Sequence, residues 1–471
     1  CALPIWKDVL LNQFHDILPG SSIGRVYVEA AKLYEKVLAK SDELGHAARG
    51  VLPYAQDGVT VFNSLSWDRR ALVQLPEAFR SGAQDSAGNL IPVQPNDQGA
   101  LAFVSVPSCG FTSLTPYEVD APHGGVSIGW TQDGIVMENA LIRVEIGSAG
   151  EIRSLLDKET QRQRIGGPAN VFKMFKDVPR KFDAWDIDSM YELSPVELGG
   201  VVEQEIAMDG PFKCAVRIKR KLNESTLTQI ISLEAGSRRV DFDTEIEWNE
   251  LHKLLKVSFP TGIRADQGYN EMQFGYVERP THRSRPYDAD RFEVCNHRYT
   301  ALCDANQGAA VLNESKYGVS MMGDEIQLTL LRAAACPEMR ADNGVHRFTY
   351  SYYVYNGSFL DSDVVKEGYQ LNVPVAMEDG NCGMRSLFAL DKANVVLETV
   401  KAAEDGSGDL IARLYESKRA DTDAALTINL PYKRLELCDM LENPISEISG
   451  DGGQVSLHFH TFEVKTLRIK R

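Results

Sequence analysis

His15 and Asp16 stand side by side in the stretch NQFHDILPGSSI at 12–23. A neutral imidazole there can ligate a metal ion, and the carboxylate beside it can accept hydrogen bonds from ligand hydroxyls. One histidine cannot hold zinc, which takes three or four protein ligands, so the pair alone reads more readily as structural. A second grouping is Asp183, Asp186 and Asp188 with Trp185 and Tyr191. Paired carboxylates cleave glycosidic bonds and aromatic rings stack on sugars, which is the chemistry this pattern suggests. Its plain alternative is a loop whose aspartates satisfy backbone amides while Trp185 fills a core. Arg332, in LTLLRA, and Asp342 and His346, in ADNGVHRFTYS, can border a pocket, their plain alternative being structural roles in sandwich loops. His458 and His460 alternate along a strand-like run, so both face one side as a His-x-His pair, but the sequence offers no evident third ligand. Cys295 and Cys303, with His297 between them, match no familiar zinc spacing and read as buried thiols.

Placing these residues requires helices at the front and strands behind. In PIWKDVLLNQFHDIL, Ile5, Val9, Leu10, Phe14 and Ile17 recur at helical spacing, which predicts a helix running to Pro19-Gly20. His15 then lies one turn before that end, with Leu11 and Leu18 on its side, and is partly shielded. Ser21 or Ser22 is the expected cap of a second helix carrying Ile23, Val26, Tyr27, Ala30, Leu33, Tyr34, Val37 and Leu38 on one face, closed by Gly45 or Gly50. After residue 50 the texture is β: VTVFNSLSW, ALVQLP and LAFVSVP are short alternating runs between turn residues. IVMENALIRVEIGSAGEIRSLLD reads as a strand, a glycine-containing turn and a second strand. AVRIKRKL, LTQIISLE, RVDFDTEIEW and LLKVSFP follow at the spacing of a sandwich, and DLIARLYES, ALTINLPY and QVSLHFHTFEVKTLRIK close the chain.

A chain of 471 residues is too long for one core, so three or four units are expected. The net charge of −16 argues against nucleic acid or an anionic membrane as partner, since either calls for a strongly basic face. No apolar run of about 18 residues is present, so no membrane-spanning helix is expected. Eight cysteines without a CxxC pair read as reduced, mostly buried thiols of a cytoplasmic protein. The first residue is not methionine and the opening reads as the inside of a helix, as in a piece of a longer protein.

NQFHDILPGSSI resembles the segment of glycoside hydrolase family 38 α-mannosidases, of the shorter cytosolic and bacterial type, that joins the helical middle domain to the catalytic site. VFNSLSW (61–67), LDKET, KFDAWDIDSMYE (181–192), FPTGIRA, QFGYVERPTH (273–282), FEVCNHRY (292–299), KYGVS (316–320), LTLLRA (328–333), ADNGVHRFTYS (341–351), ETVKAAED and FEVKTLRI are similar to further blocks of that family, in family order. The resemblance implies a mainly β fold: a short N-terminal helical segment, the end of a helical middle domain, then several β-sandwich domains including one large supersandwich. Its expected boundaries are 1–50, 51–125, 126–394 and 395–471.

The same resemblance implies that His15 is one of four ligands to Zn2+, or to another divalent ion such as Co2+, and that Asp16 touches the substrate sugar. The loop with Trp185, Asp186 and Asp188 is expected to line the sugar pocket. The family's nucleophilic aspartate, acid/base and His-x-Asp metal pair lie in an α/β domain before all of this, so no catalytic residue is assigned to this chain. A retaining exo-α-mannosidase acting on terminal mannose of oligosaccharides is implied for the whole enzyme, with neither nucleic acid nor membrane as partner and a homodimer allowed by analogy. The 471-residue piece is expected to be inactive and metal-free alone. The competing reading is a non-catalytic carbohydrate-binding β-sandwich module, which requires an exposed aromatic platform on a sandwich face. A different sandwich-bearing glycosidase or a sugar epimerase is the third, and such proteins have no reason to carry the QFHD helix.

Overall fold

A computed structural model describes residues 3–120, 124–450 and 452–471; Cys1 and residues 121–123, beside one expected boundary, lie outside them. The chain forms two compact units, one of residues 1–52, 125–268 and 279–355, the other of 53–124, 269–278 and 356–471. The fold is mainly β, as expected. Among the described residues no helix is long and apolar enough to cross a membrane.

The first unit opens with α1 (Leu3–Leu11) and α2 (Gly24–Arg49). They are pinned together by the buried Asn12 amide, which donates to the Ala30 carbonyl (3.5 Å), and by the Lys36–Asp8 ion pair (2.9 Å). Here the expected helix boundary moves. Asn12 still bonds back to the Asp8 carbonyl, but Gln13 and Phe14 reach only to the residue three before each. A chain of turns follows to Gly20. His15 therefore sits in a turn, not on the helix.

The rest of the first unit is sheet. Val201–Met208, Lys213–Lys221, Thr226–Glu234 and Arg239–Trp248 are successive antiparallel neighbours, continued by Gly344–Asn356, Gln307–Asn313 and Tyr299–Cys303. A second sheet orders Val171–Lys176, Lys253–Pro260, Glu325–Arg332 and Gly318–Met322 side by side. The stretch 134–157, read as two strands, contains three: Gly134–Asn139, Ile142–Gly147 and Ile152–Asp157. Asn139 explains the extra turn, because its Oδ1 accepts from the amides of Leu141 and Ile142 (both 2.8 Å) and so reverses the chain without a glycine.

Aromatic rings join the two sheets. Phe242 lies opposite Tyr350 on the neighbouring strand and stacks on it at 5.0 Å, while Phe259 of the second sheet stacks on Tyr352 at 5.1 Å. All four are buried. The Tyr350 hydroxyl donates to Asn170 Oδ1 (2.7 Å) and accepts from Gln229 Nε2 (2.8 Å), and Asn170 Nδ2 donates to Gln229 Oε1 (2.8 Å). This closed ring satisfies polar groups that burial would otherwise penalise.

The second unit has two cores. One lies between the sheet containing Ala55–Asn63 and that containing Arg69–Leu75, around Val59, Val61, Val73 and Leu75. The other lies between two C-terminal sheets, around Leu414, Leu426, Phe459 and Leu467. In the smaller of these, Phe388–Leu390, Thr422–Ile428 and Gln454–Phe459 pair in that order. Along Gln454–Phe459 burial alternates strictly, with Val455, Leu457 and Phe459 inward and Gln454, Ser456 and His458 outward.

Phe259→Ala is expected to lower the stability of the first unit by about 3–5 kcal/mol through the cavity it leaves. Tyr350→Phe should cost about 1–3 kcal/mol by orphaning Asn170 and Gln229. Urea titration followed by tryptophan fluorescence measures both; a neutral Tyr350→Phe would deny the polar ring any role in stability.

Candidate functional site

The turn after α1 holds Asp16 by three bonds. Its Oδ1 accepts from Ser21 Oγ (3.0 Å), and its carbonyl accepts from the Ser21 amide (3.2 Å) and Ser22 Oγ (2.8 Å). Oδ2 is left facing His15 Nε2 at 3.6 Å. His15 packs against Phe14 with the rings tilted at 41° and their centroids 4.3 Å apart, and its side chain is 70% exposed. The expectation of a partly shielded histidine is corrected: Leu11 and Leu18 do not flank it, because the helix on which they would align has already ended. The serines, expected to cap α2, hold the turn instead. The cap comes from far along the chain, where Glu338 Oε2 accepts from the Gly24 amide at 2.6 Å. A carboxylate at a helix start is favoured by the unpaired amides and the dipole. A Cβ at Gly24 would fall 2.3 Å from that oxygen, so a larger residue there would push the Glu338 carboxylate aside.

Tyr27 links this turn to the sandwich. Its hydroxyl accepts from the Ser22 amide at 2.6 Å. Burial pushes the phenol above its usual range, and the charges of Asp342 and Asp16 add to the effect. Burial also pushes the Asp342 carboxyl up, against the opposing pull of His346, Arg332 and Lys316. His346 Nε2 donates to the Asp342 carbonyl at 2.6 Å.

Arg332, the last residue of Glu325–Arg332, organises the other candidate loop. Its guanidinium donates to Asp177 Oδ2 (2.7 Å) and to the carbonyls of Asp183 (3.1 Å), Ala184 (3.2 Å) and Asp186 (2.7 Å). Asp183 turns inward, accepting from the Ala335 amide (2.7 Å) and meeting His252 Nε2 at 3.2 Å. Asp186 and Asp188 are exposed; Asp188 Oδ2 accepts only a longer bond from the Arg180 amide (3.2 Å). Trp185 fills no core. It is 61% exposed beside Phe182, while Tyr191 is buried against Phe175. Asp183 and Asp188 thus each satisfy a backbone amide, as in the plain reading, whereas Trp185 does not fill a core and Trp185, Asp186 and Asp188 are exposed.

Tyr27 lies within electrostatic reach of both Asp16 and Asp342, and Asp342 within that of Arg332, which holds the 182–188 loop. No hydrogen bond among the described residues runs directly from His15 or Asp16 to Trp185, Asp186 or Asp188. Tyr27 and Glu338 were not read as site residues. Nothing local marks them, because one looks like an ordinary helix-face aromatic and the other lies 314 positions from its partner. The sulfur expectations need correction as well. All seven described cysteines carry free thiols, but only Cys214 and Cys438 are fully buried, and Cys295, on a two-residue edge strand, is exposed.

A profile of the alpha mannosidase middle domain matches residues 2–52, and one of the glycosyl hydrolases family 38 C-terminal domain matches 137–340. The family 38 C-terminal beta sandwich domain matches 394–467. The chain belongs to glycoside hydrolase family 38. Alpha-mannosidase 2C1 of Homo sapiens is 34% identical over 487 residues, covering 99% of this chain and 45% of its own length. Alpha-mannosidase G of Dictyostelium discoideum is 30% identical over 522 residues, covering 99% and 48%. The chain thus spans less than half the length of these curated family 38 relatives. The crystal structure of an alpha-mannosidase from Enterococcus faecalis V583 matches 99% of this chain and 63% of its own, with a TM-score of 0.80 at 17% identity, a likeness of fold. The middle-domain match takes in the His15–Asp16 turn and α2; the C-terminal domain match takes in the 182–188 loop and Arg332.

Arg332→Lys keeps the charge but loses the planar fork that serves four acceptors. Amide hydrogen exchange across 182–188 is expected to quicken by at least about tenfold as the loop opens locally. Unchanged exchange would show that the loop holds itself.

Proposed function

We propose that this chain is the C-terminal portion of a metal-dependent, retaining exo-α-mannosidase that removes terminal α-linked mannose from glycans. It contributes His15 as one metal ligand, Asp16 as a sugar contact, Trp185, Asp186 and Asp188 as pocket lining, and the β-framework that holds them. The observation that carries the reading is the display of His15 at the tip of a helical hairpin whose apolar residues Trp6, Leu10, Leu11, Phe14 and Leu18 are each more than half exposed. A patch of that kind around a polar pair is a surface made to be covered by more protein, and the relatives are more than twice as long as the chain.

The donor chemistry of His15 suits zinc or cobalt, but the number of donors does not complete a site. Among the described residues His15 belongs to no group of three clustered metal-binding side chains. The remaining ligands, the nucleophile and the acid/base are assigned to the part of the enzyme beyond this chain. A bound divalent ion would supply Lewis-acid attraction for sugar hydroxyls. The chain's own part is positional: Ser21 fixes one oxygen of Asp16, leaving the other to accept a sugar hydroxyl. Trp185 offers a ring face to the apolar side of a pyranose, and Asp186 and Asp188 accept further hydroxyls. We place the enzyme in a reducing compartment, the cytoplasm, in keeping with its free thiols; burial pushes Cys109 up to about 11 and Cys214 up to about 12, which keeps both protonated.

The 471-residue chain should release no nitrophenol from an aryl α-mannoside, with or without added Zn2+ or Co2+. In the complete enzyme, His15→Ala should weaken metal binding by more than about tenfold, read by metal analysis after dialysis. Asp16→Asn should lower kcat/KM by roughly 10- to 100-fold, the loss of a charged hydrogen bond. Turnover by the isolated chain, or full metal retention in His15→Ala, would overturn the respective assignment.

A further inference from the structure

The His-x-His pair near the C-terminus acquires in three dimensions the third ligand that its sequence lacks. His458 and His460 leave the outer face of the edge strand Gln454–Phe459, and their rings stand 4.9 Å apart at 85°. The neighbouring strand Thr422–Ile428 places Asp423 opposite His458, and Asp421 precedes that strand beside His460. His458 Nδ1 is 2.8 Å from Asp423 Oδ1, and His460 Nδ1 is 3.3 Å from Asp421 Oδ1. Asp421, His458 and His460 each offer a ligand atom within 4.8 Å of the other two, and all are exposed.

We propose that Asp421, His458 and His460 bind one divalent transition-metal ion on the outer face of the C-terminal sandwich, with Asp423 orienting His458. Two imidazoles and a carboxylate are the donor set of zinc and its neighbours, and three protein ligands leave a position open for water or another molecule's side chain. Asp423, hydrogen-bonded to Nδ1–H, fixes the tautomer that leaves Nε2 of His458 free to ligate. The two carboxylates balance the charge of a divalent ion. Ligands on a single zinc stand roughly 3.5 Å apart, so the side-chain tips close by about an ångström, a movement open to exposed rotamers. The backbone beneath does not have to move, because Val455, Leu457 and Phe459 anchor the strand in the core. The ion would clip the edge strand to its neighbour. This inference uses no residue of the mannosidase reading and stands apart from it.

The test is calorimetric titration of the 471-residue chain with Zn2+, paired with Cu2+ electron paramagnetic resonance. One saturable equivalent is expected in the native chain and in His15→Ala, with nitrogen couplings from two imidazoles in the copper spectrum. The His458→Ala/His460→Ala double variant should bind at least 100-fold more weakly, and Asp423→Asn about tenfold more weakly. Because these side chains are exposed, metal-free melting temperatures should match the native chain, which separates lost binding from lost fold. No saturable binding, binding that survives the double variant, or binding abolished by His15→Ala would each overturn the proposal.

Discussion

The guanidinium of Arg332 is the group on which the candidate site most depends. Its strand lies inside a buried sheet, paired with Lys253–Pro260 on one side and Gly318–Met322 on the other. Its own carbonyl accepts from the buried Trp248 indole at 2.9 Å, so the residue cannot drift. The 182–188 loop has no sheet partner for the carbonyls of residues 183, 184 and 186, and each needs a donor. One planar group with several N–H bonds meets all three at once and still pairs with Asp177. With its carbonyls drawn inward, the loop turns Trp185, Asp186 and Asp188 outward.

The segment following Arg332 does the same for the helices. Ala335 ties it to Asp183, Glu338 caps α2, and Asp342 lies within electrostatic reach of Tyr27. A single stretch of about ten residues thus locates both the outward loop and the His15–Asp16 turn. The hairpin's own packing is slight: along α2 only Ala30 and Val37 are fully buried. Polar ties join it to the segment after Arg332, and much of its apolar surface, at Trp6, Leu10, Leu11, Phe14 and Leu18, is exposed.

The two metal readings rest on opposite kinds of evidence. At His15 the resemblance assigns a ligand that the chain cannot complete, and the structure adds only that the imidazole is accessible. At His458 and His460 the resemblance assigns nothing, and pairing across a strand supplies the missing carboxylate. The competing view of the chain as a lectin-like module finds little support among the described residues. Trp248 is buried, Trp67 packs on Tyr369, and Trp130, though exposed on a strand, takes part in no described ring pair that would extend it into a platform.

Local rules carried the β fold far. Strands at 213–221, 226–234, 239–248 and 253–260 lie within a few residues of their β-branched and alternating runs, because short apolar-rich runs between turn residues are written directly in residue order. The family, too, was legible from His15–Asp16 and the ordered blocks after it. What sequence could not reach were the boundaries and contacts set by distant partners. The Asn12 side chain bonds to Ala30 on the second helix, α2 is capped by Glu338, and Asp183 faces inward to Ala335. Sequence by itself determined the mainly β class, the family and the approximate place of many strands, though not the third strand within 134–157. Tertiary structure alone decided which aspartate of the 182–188 loop turns inward to the Ala335 amide and which two stay exposed, and it set Asp421 beside His458 and His460. The reason is the same in both cases: a hydrogen bond or ligand set is defined by distance in space, and pairing across strands brings together residues that chain order keeps apart.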